Sequence, residues 1–323
     1  DVYKRQARVL EAIEDEVGRP ITDIFDMVAG TSIGGIIALG LASGKSAATI
    51  REAIATNGPT LFPPYGFIRR NLQKLGRVVS APHDQDVLKA MIHAVLENAD
   101  AELEELGTSV IVPALDATGT TEGPRPIIYS NHRDSATREA KLIDVALATS
   151  AAPTYLPSYT PDDSRSQLVD GGVIANSPSW IAMTTATADY GWNNDKLKML
   201  IIGTTRSAYG RVPSTGGGKR NREGFAYWLT KGKLFDLIME GQRRLADSMC
   251  EQALGSDRCF SINSTRSKAQ ERVARALNQA SRAATDTLMQ LADVAAEEAL
   301  KNTAIRQLLN RRSQHTRQSG LVD

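Results

Sequence analysis

Apolar and polar stretches along the chain predict helices and strands that follow one another in turn. Apolar residues repeat at helical spacing over residues 7–16, and a short apolar strand runs into an apolar helix between Ile24 and Leu41. Further helices are predicted over residues 46–58, 86–98, 143–149, 225–254 and 268–310, and strands over residues 108–115, 126–130, 168–169 and 198–203. This alternation predicts an α/β fold with helices on both faces of its sheet.

Two stretches interrupt the alternation. Residues 58–86 are rich in proline and carry the pair Arg69-Arg70, which predicts an irregular surface loop or a flap that faces a membrane. Residues 206–224 combine Gly216-Gly217-Gly218 with five basic side chains, without the spacing of a phosphate-binding loop, so a flexible basic loop is predicted. We predict a single domain over residues 1–323, with a catalytic core over about 7–205 and an extension over about 206–323.

Composition excludes several classes of function. Lys and Arg number 38 and Asp and Glu 37, and this net charge of +1 argues against a nucleic acid polymer as partner. Cys250 and Cys259 lack the spacing of metal ligands, so free thiols in a reducing compartment are expected, with no metal and no cofactor. No apolar run is long enough to span a bilayer and no signal peptide is visible. Because the chain begins with Asp1 rather than Met, we expect its natural start to be missing.

The best candidate for chemistry is Ser32, which lies between Gly30 and Gly34 where the predicted strand meets the helix. Strand, G-x-S-x-G and helix is the context of a nucleophile elbow, in which strained backbone projects the serine Oγ into open space. We expect that side chains at the two glycine positions would collide with neighbouring elements. The N–H of Ile33, at the start of the helix, is expected to help bind an oxyanion.

An activated serine needs a base, and the sequence leaves two kinds of base open. The histidines are His83, His93, His132 and His315. Only His132, which follows the strand over residues 126–130, is placed where the histidine of a Ser-His-Asp triad could lie. The alternative is Asp170, which follows an apolar strand and precedes Gly171 and Gly172, whose lack of a side chain permits close approach of the backbone.

Three blocks of sequence together resemble the patatin-like phospholipase family. They are Gly30–Gly35, Ala148–Tyr155, and Asp170-Gly171-Gly172 with Asn176 and Pro178, and their order and spacing match those of the family. The similarity runs from about Ala7 to Gly203. The segment around residues 234–242 is more loosely similar to bacterial members that degrade lipids in antiphage defence, some of which are switched on by cyclic dinucleotides.

The resemblance implies both the fold and the activity. The fold would be a patatin-like three-layer α/β/α sheet with a helical C-terminal extension. The activity would be that of a phospholipase A-type acyl-lipid hydrolase with a Ser–Asp dyad, in which Ser32 is the nucleophile and Asp170 takes its proton. The substrate would be a membrane phospholipid, and the protein would be cytoplasmic and peripheral at the inner face of the membrane. A cyclic-dinucleotide activator and a homo-oligomer are further expectations. Residues 148–157 would be a packing segment without chemistry.

One departure from the family keeps alternatives open. The family places a glycine-rich loop before the first helix as its main oxyanion donor, whereas residues 1–6 contain no glycine. Losing one such donor costs about 10²–10³ in rate. The chain is therefore either an N-terminally truncated enzyme or a catalytically impaired binding or scaffold protein. A Ser-His-Asp esterase that uses His132 is the third interpretation.

Overall fold

The computed structural model describes residues 2–61, 85–118, 123–153, 155–162, 164–207, 234–267, 270 and 282–313. The helices are α1 (Val2–Val17), α2 (Ile33–Ala42), α3 (Ala47–Leu61), α4 (Gln85–Val95), α5 (Leu142–Ser150), α6 (Gly172–Ala175), α7 (Ser179–Ala188), α8 (Leu234–Leu254), α9 (Arg282–Lys301) and α10 (Thr303–Leu309). The strands are β1 (Met27–Ala29), β2 (Ser109–Asp116), β3 (Arg125–Ser130), β4 (Leu168–Asp170), β5 (Met199–Ile202), β6 (Arg206–Ser207), β7 (Cys259–Ile262) and β8 (Thr265–Arg266). Most of the predicted proline-rich and basic loops lies outside the described residues.

The central strand β2 organises the largest sheet. It pairs antiparallel with β3 along one edge. Along the opposite edge it pairs first with β1, in parallel up to Ala29↔Ile111, and then with β4, antiparallel down to Ala114↔Asp170. The carboxyl ends of β1 and β4 therefore converge on the same short stretch of β2, around Pro113. Proline is tolerated there because this point of the edge lies between the two ladders.

Both faces of β2 are covered. Val110, Val112 and Ala114 belong to the main hydrophobic core, which helices α2 and α5 share. Ile111 points to the opposite face, since side chains alternate along a strand, and it is completely buried as well. The prediction of an α/β sheet with helices on both faces is confirmed.

The C-terminal segments are built into the same core. Helix α9 packs along α1, and Ala292, Ala295 and Ala299 join the core that includes Ala7 and Ile13. Small residues three and four positions apart lie on the same face of the helix and let the two helices approach closely. The Ala-rich face of α9 thus packs on its own domain, and the homo-oligomer stays a prediction.

Several elements differ from the sequence-based expectation. Helices α6 and α7 and strands β7 and β8 were not predicted, and β6 takes up the first two residues of the predicted basic loop. Strand β7 pairs in parallel with β5, and β8 pairs in parallel with β6. The prediction that the chain is irregular from residue 58 onward was wrong for the first residues of that segment, because α3 continues to Leu61. Of the helices in the described ranges, none is both long and apolar enough to cross a bilayer.

Candidate active site

Ser32 occupies a strained turn between β1 and α2. Its backbone has φ 59° and ψ −132°, and it is the non-glycine residue with positive φ in the described part of the chain. Such a conformation persists only where the surrounding structure enforces it, and it is typical of functional sites. A Cβ on Gly30 would lie 1.9 Å from the carbonyl oxygen of Gly34, so the glycine before the serine is required by contact.

The prediction that a side chain at Gly34 would collide with a neighbouring element was wrong. A Cβ at Gly34 would meet no atom within 4 Å, apart from its own helix, because this position faces open space. The tightly packed glycine is the next one, Gly35, whose Cβ would lie 2.9 Å from Thr149 Cγ2 and 3.0 Å from Val112 Cγ1. Gly35 thus lets the start of α2 approach both α5 and β2.

Ser32 and Asp170 meet at the point where β1 and β4 converge. Ser32 Oγ donates a hydrogen bond of 2.6 Å to Asp170 Oδ2. The other carboxylate oxygen, Oδ1, accepts a 2.6 Å hydrogen bond from the N–H of Gly172. One oxygen of Asp170 is thus held by backbone while the other faces the serine, which is the arrangement that a general base requires.

Burial makes Asp170 a stronger base than a solvated carboxylate. The residue is 5% exposed, and this desolvation raises its pKa from 3.8 to about 6. The hydrogen bonds from Ser32 and Gly172 act in the opposite direction, because they favour the charged form, but burial prevails. At neutral pH the carboxylate is ionised, with a proton affinity closer to that of a histidine.

The two glycines after Asp170 permit close approach, as predicted. A Cβ on Gly171 would lie 2.1 Å from the carbonyl oxygen of Pro113 in β2. A Cβ on Gly172 would lie 2.7 Å from Met239 Cε in α8 and 3.0 Å from Asp170 Oδ1. The absence of a side chain at Gly171 therefore lets the turn pack against β2, and at Gly172 it lets the N–H reach the Asp170 carboxylate.

Thr149 is a site residue that sequence reasoning missed. Its buried Oγ1 accepts a 3.0 Å hydrogen bond from the N–H of Ser32 and donates a 2.7 Å hydrogen bond to the carbonyl of Pro113. The block that contains Thr149 was treated as packing without chemistry. The available signal was a hydroxyl-bearing residue, Thr149, directly after the apolar run Val145–Ala148 of the helix.

The structure does not bring His132 to the serine. Its ring lies edge-on against Tyr190, with centroids 4.5 Å apart, and its Nδ1 accepts from the N–H of Asp134 at 3.3 Å. The Ser32 hydroxyl is already directed at Asp170. His93 projects from α4 with its side chain exposed, and His83 and His315 lie outside the described residues. The interpretation of His132 as the catalytic base is therefore not supported by the geometry.

The N-terminus of α2 offers donors for an oxyanion. The N–H groups of Ile33 and Gly34 open the helix and have no acceptor within it, whereas those of Gly35 and Ile36 bind the Ser32 carbonyl. The first turn of α1 also approaches the site, because the Tyr3 phenol lies close to Ser32 and Asp170. Burial, followed by the nearby charge of Asp170, raises the pKa of Tyr3 to about 12, so this phenol is neutral.

A cavity of about 670 Å³ lies behind the elbow. Its walls include consecutive residues of both β1 and β5, together with Gly30 and Gly34. Ser32 and Asp170 are not among the residues that line it, so the cavity is separate from the dyad. It is next to the backbone of the elbow and not to its reactive oxygen.

A strained serine at a strand–helix turn, hydrogen-bonded to a buried carboxylate in an α/β fold, defines the architecture of a serine hydrolase. The chain belongs to the patatin-like phospholipase family, whose sequence profile, described as "Patatin-like phospholipase", matches residues 6–183. The resemblance inferred from the three sequence blocks is confirmed, as are the fold and the assignment to lipid hydrolases.

Sequence relatives agree with this family. A "cGAMP-activated phospholipase" of Pseudomonas aeruginosa is 33% identical over 300 residues, which cover 91% of this chain and 84% of that protein. Proteins with the same description from Escherichia coli and Vibrio cholerae are 36% and 33% identical over 203 and 222 residues. Those alignments cover 60% and 66% of this chain, but only 54% and 61% of the relatives' own lengths.

Proposed function

We propose that this chain hydrolyses acyl esters of phospholipids, with Ser32 as nucleophile and Asp170 as general base. The observation that carries the proposal is the 2.6 Å hydrogen bond from Ser32 Oγ to Asp170 Oδ2, made by a serine in strained backbone. The raised pKa of Asp170 supports it, because a carboxylate near its ordinary pKa would be a poor base for a hydroxyl.

In the first half of the reaction Ser32 Oγ attacks the ester carbonyl carbon while its proton passes to Asp170 Oδ2. The carbonyl oxygen becomes an oxyanion that faces the N–H groups of Ile33 and Gly34. Collapse of the tetrahedral intermediate breaks the bond to the leaving alkoxide, which takes the proton from Asp170 and departs as lysophospholipid. An acyl-enzyme on Ser32 and an ionised Asp170 remain.

In the second half water replaces the alcohol. The water oxygen attacks the acyl carbon while Asp170 accepts a proton from the water, and a second tetrahedral intermediate forms. Its collapse breaks the bond to Ser32 Oγ, which takes the proton back from Asp170. The products are a fatty acid and the original dyad.

Labelling with a fluorophosphonate probe tests the dyad most directly, because the probe reacts only with an activated serine. We expect labelling of the parent chain and none of Ser32→Ala or Asp170→Asn. Phospholipid vesicles then provide the substrate, with released fatty acid as the readout. Unlabelled parent chain would contradict the proposal, and retained phospholipid binding without turnover would favour a binding or scaffold protein. Labelling that depends on His132 would favour a Ser-His-Asp esterase.

We also propose that a cyclic dinucleotide switches the activity on. The support is the description of three relatives as cGAMP-activated, one of which aligns over most of both chains. In this reading the protein is a defence effector that acts on phospholipid at the inner face of the membrane. Calorimetry with cGAMP and vesicle hydrolysis with and without it test the proposal. A linear dinucleotide of the same bases is the control, and absence of both binding and stimulation would contradict it.

A further inference from the structure

Helix α8 lies against the segment that follows Asp170. It packs on both α6 and α7, the two helices that come directly after the D-G-G turn. Its contacts with this segment come from Met239, Gln242 and Asp247, and residues three and eight positions after Met239 lie on the same face of a helix. A single face of α8 is therefore devoted to the segment that carries the base.

The contacts involve both the backbone and the side chains of this segment. Gln242 Nε2 donates a 2.8 Å hydrogen bond to the carbonyl of Val173, and the carbonyl of Met239 accepts one of 3.1 Å from Asn176 Nδ2. The Met239 methyl group lies close over Gly172. Further along, Asp247 Oδ1 accepts a hydrogen bond of 2.7 Å from Ser177 Oγ.

This segment needs hydrogen bonds from other elements because α6 is too short to pair its own backbone groups. It has only four residues, and the carbonyls of a single turn have no partners within the helix. Gln242 supplies one such carbonyl, that of Val173, with a donor. Gly172, whose N–H binds Asp170 Oδ1, is the residue directly before it.

Only one end of the Gln242 side-chain amide is hydrogen-bonded within the described part of the chain. Its Oε1 is buried without a hydrogen-bond partner in the described part of the chain, while its Nε2 makes the contact to Val173. A buried acceptor without a partner is unfavourable, whereas the bond from Nε2 supplies the Val173 carbonyl with a donor.

We propose that Gln242 and Met239 are positioning residues, through which α8 holds the Gly172 N–H on Asp170 and so holds the base in line with Ser32. This inference rests on the proposed role of Asp170 as general base. A displacement of α8 would weaken the Gly172 hydrogen bond without touching the substrate. The activity of the dyad is thereby coupled to the position of a helix that begins some 60 residues after it in sequence (234 − 170 = 64).

The test compares Gln242→Met, which keeps the length of the side chain but removes its donor, with Gln252→Met at an exposed position of the same helix. With a short-chain nitrophenyl ester, we expect kcat of Gln242→Met to fall roughly two- to tenfold, the equivalent of one hydrogen bond, while KM stays within about twofold. The acid limb of the pH profile should move to higher pH, because the Gly172 hydrogen bond favours ionised Asp170. The Tyr3 phenol also faces Asp170 but stays neutral through that range.

A second pair of variants distinguishes a loss of positioning from a general loss of folding. Met239→Ala keeps the Gln242 hydrogen bond but opens space over Gly172, and it should shift kcat and the acid limb in the same direction, while Met239→Leu should restore both. A Gln242→Met protein with the kcat and acid limb of the parent would overturn the inference, as would equal effects of Gln252→Met. A parent chain that no fluorophosphonate labels would overturn this inference and the proposed function together, whereas a labelled parent with an unaffected Gln242→Met overturns the inference alone.

Discussion

The side-chain oxygen of Thr149 accepts a hydrogen bond from the backbone N–H of Ser32, at 3.0 Å. The same hydroxyl donates to the Pro113 carbonyl at 2.7 Å, so the elbow is tied to the central strand through one threonine. The Gly171 N–H donates to the Thr149 carbonyl at 3.3 Å. Thr149 therefore contacts Ser32 and the residue that follows Asp170, and it links the position of Ser32 to that of the turn after Asp170.

Replacing Thr149 by valine tests this link. Valine fills the same volume but leaves the N–H of Ser32 and the Pro113 carbonyl without their partner, in a buried site. We expect a loss of about 1–3 kcal/mol in the free energy of unfolding, measured by urea denaturation. Fluorophosphonate labelling should slow as well, since the serine is no longer held.

Two variants provide the controls for Thr149→Val. Thr149→Ser keeps the hydroxyl and should retain most of the labelling rate. Thr187→Val removes a hydroxyl that only bonds back to its own helix, and it should change stability by less than about 0.5 kcal/mol. Full labelling of Thr149→Val at the rate of the parent would contradict the role assigned to Thr149.

Gly30 and Gly34 should respond in opposite ways to alanine. Gly30→Ala would place a Cβ 1.9 Å from a backbone oxygen, which forces the elbow to move. We expect a loss of more than about 3 kcal/mol of stability, or failure to fold. Gly34→Ala meets open space in the first turn of α2, where alanine is the better helix former by about 1 kcal/mol.

Unfolding midpoints in urea distinguish the two variants. Gly34→Ala should unfold at the concentration of the parent or above it, although the methyl group narrows the approach to the oxyanion donors and should slow turnover. Equal destabilisation by the two substitutions would show that the open space at Gly34 is not present in solution.

Asp170→Asn should abolish turnover and stabilise the fold. Burial raises the pKa of Asp170 from 3.8 to about 6, so the ionised carboxylate destabilises the native state at neutral pH. A neutral amide removes this cost, while its oxygen accepts from Gly172 and its nitrogen donates to Ser32 Oγ. We expect a gain of about 1–3 kcal/mol at about pH 8.

The gain in stability of Asp170→Asn over the parent should depend on pH. The native state holds the proton of Asp170 more tightly than the unfolded chain, so the stability of the parent increases as pH falls through about 6 toward 4. The advantage of Asp170→Asn should therefore shrink over that range. Thermal unfolding of both proteins at about pH 8 and about pH 5 measures it, and a constant difference would argue against an ionisable Asp170 with a raised pKa.

Turnover of the parent should fall on the acid side of about pH 6. Asp170 must be ionised to accept the serine proton, so kcat/KM should decrease about tenfold per pH unit below its pKa. A soluble ester substrate avoids changes in the charge of a lipid surface, and a solvent-accessible carboxylate would instead give an acid limb near pH 4. An acid limb near pH 4 would therefore show that the base is not desolvated.

The sequence determined the local elements of the site and the family. Gly30-Thr31-Ser32-Ile33-Gly34 between an apolar strand and an apolar helix was sufficient to predict the elbow, and close packing at such a turn explains the glycine at position 30, although Gly34 faces open space. Asp170 was favoured over His132 by the two glycines that follow it and by the resemblance to the family, but the sequence alone did not place either side chain beside Ser32. Which of them lies there depends on which strand end meets the elbow.

The tertiary structure decided this point, and the reason lies in the sheet register. The parallel ladder of β1 stops at Ile111 and the antiparallel ladder of β4 stops at Ala114, so the end of β4 arrives opposite Ser32. Local sequence does not encode where β1 and β4, whose first residues are 141 positions apart (168 − 27 = 141), each pair with β2, because these registers depend on all the elements that pack around β2. The same holds for Thr149, Gln242 and the pairing of β7 with β5: each is a contact between distant segments, and none leaves a periodic signal in the sequence.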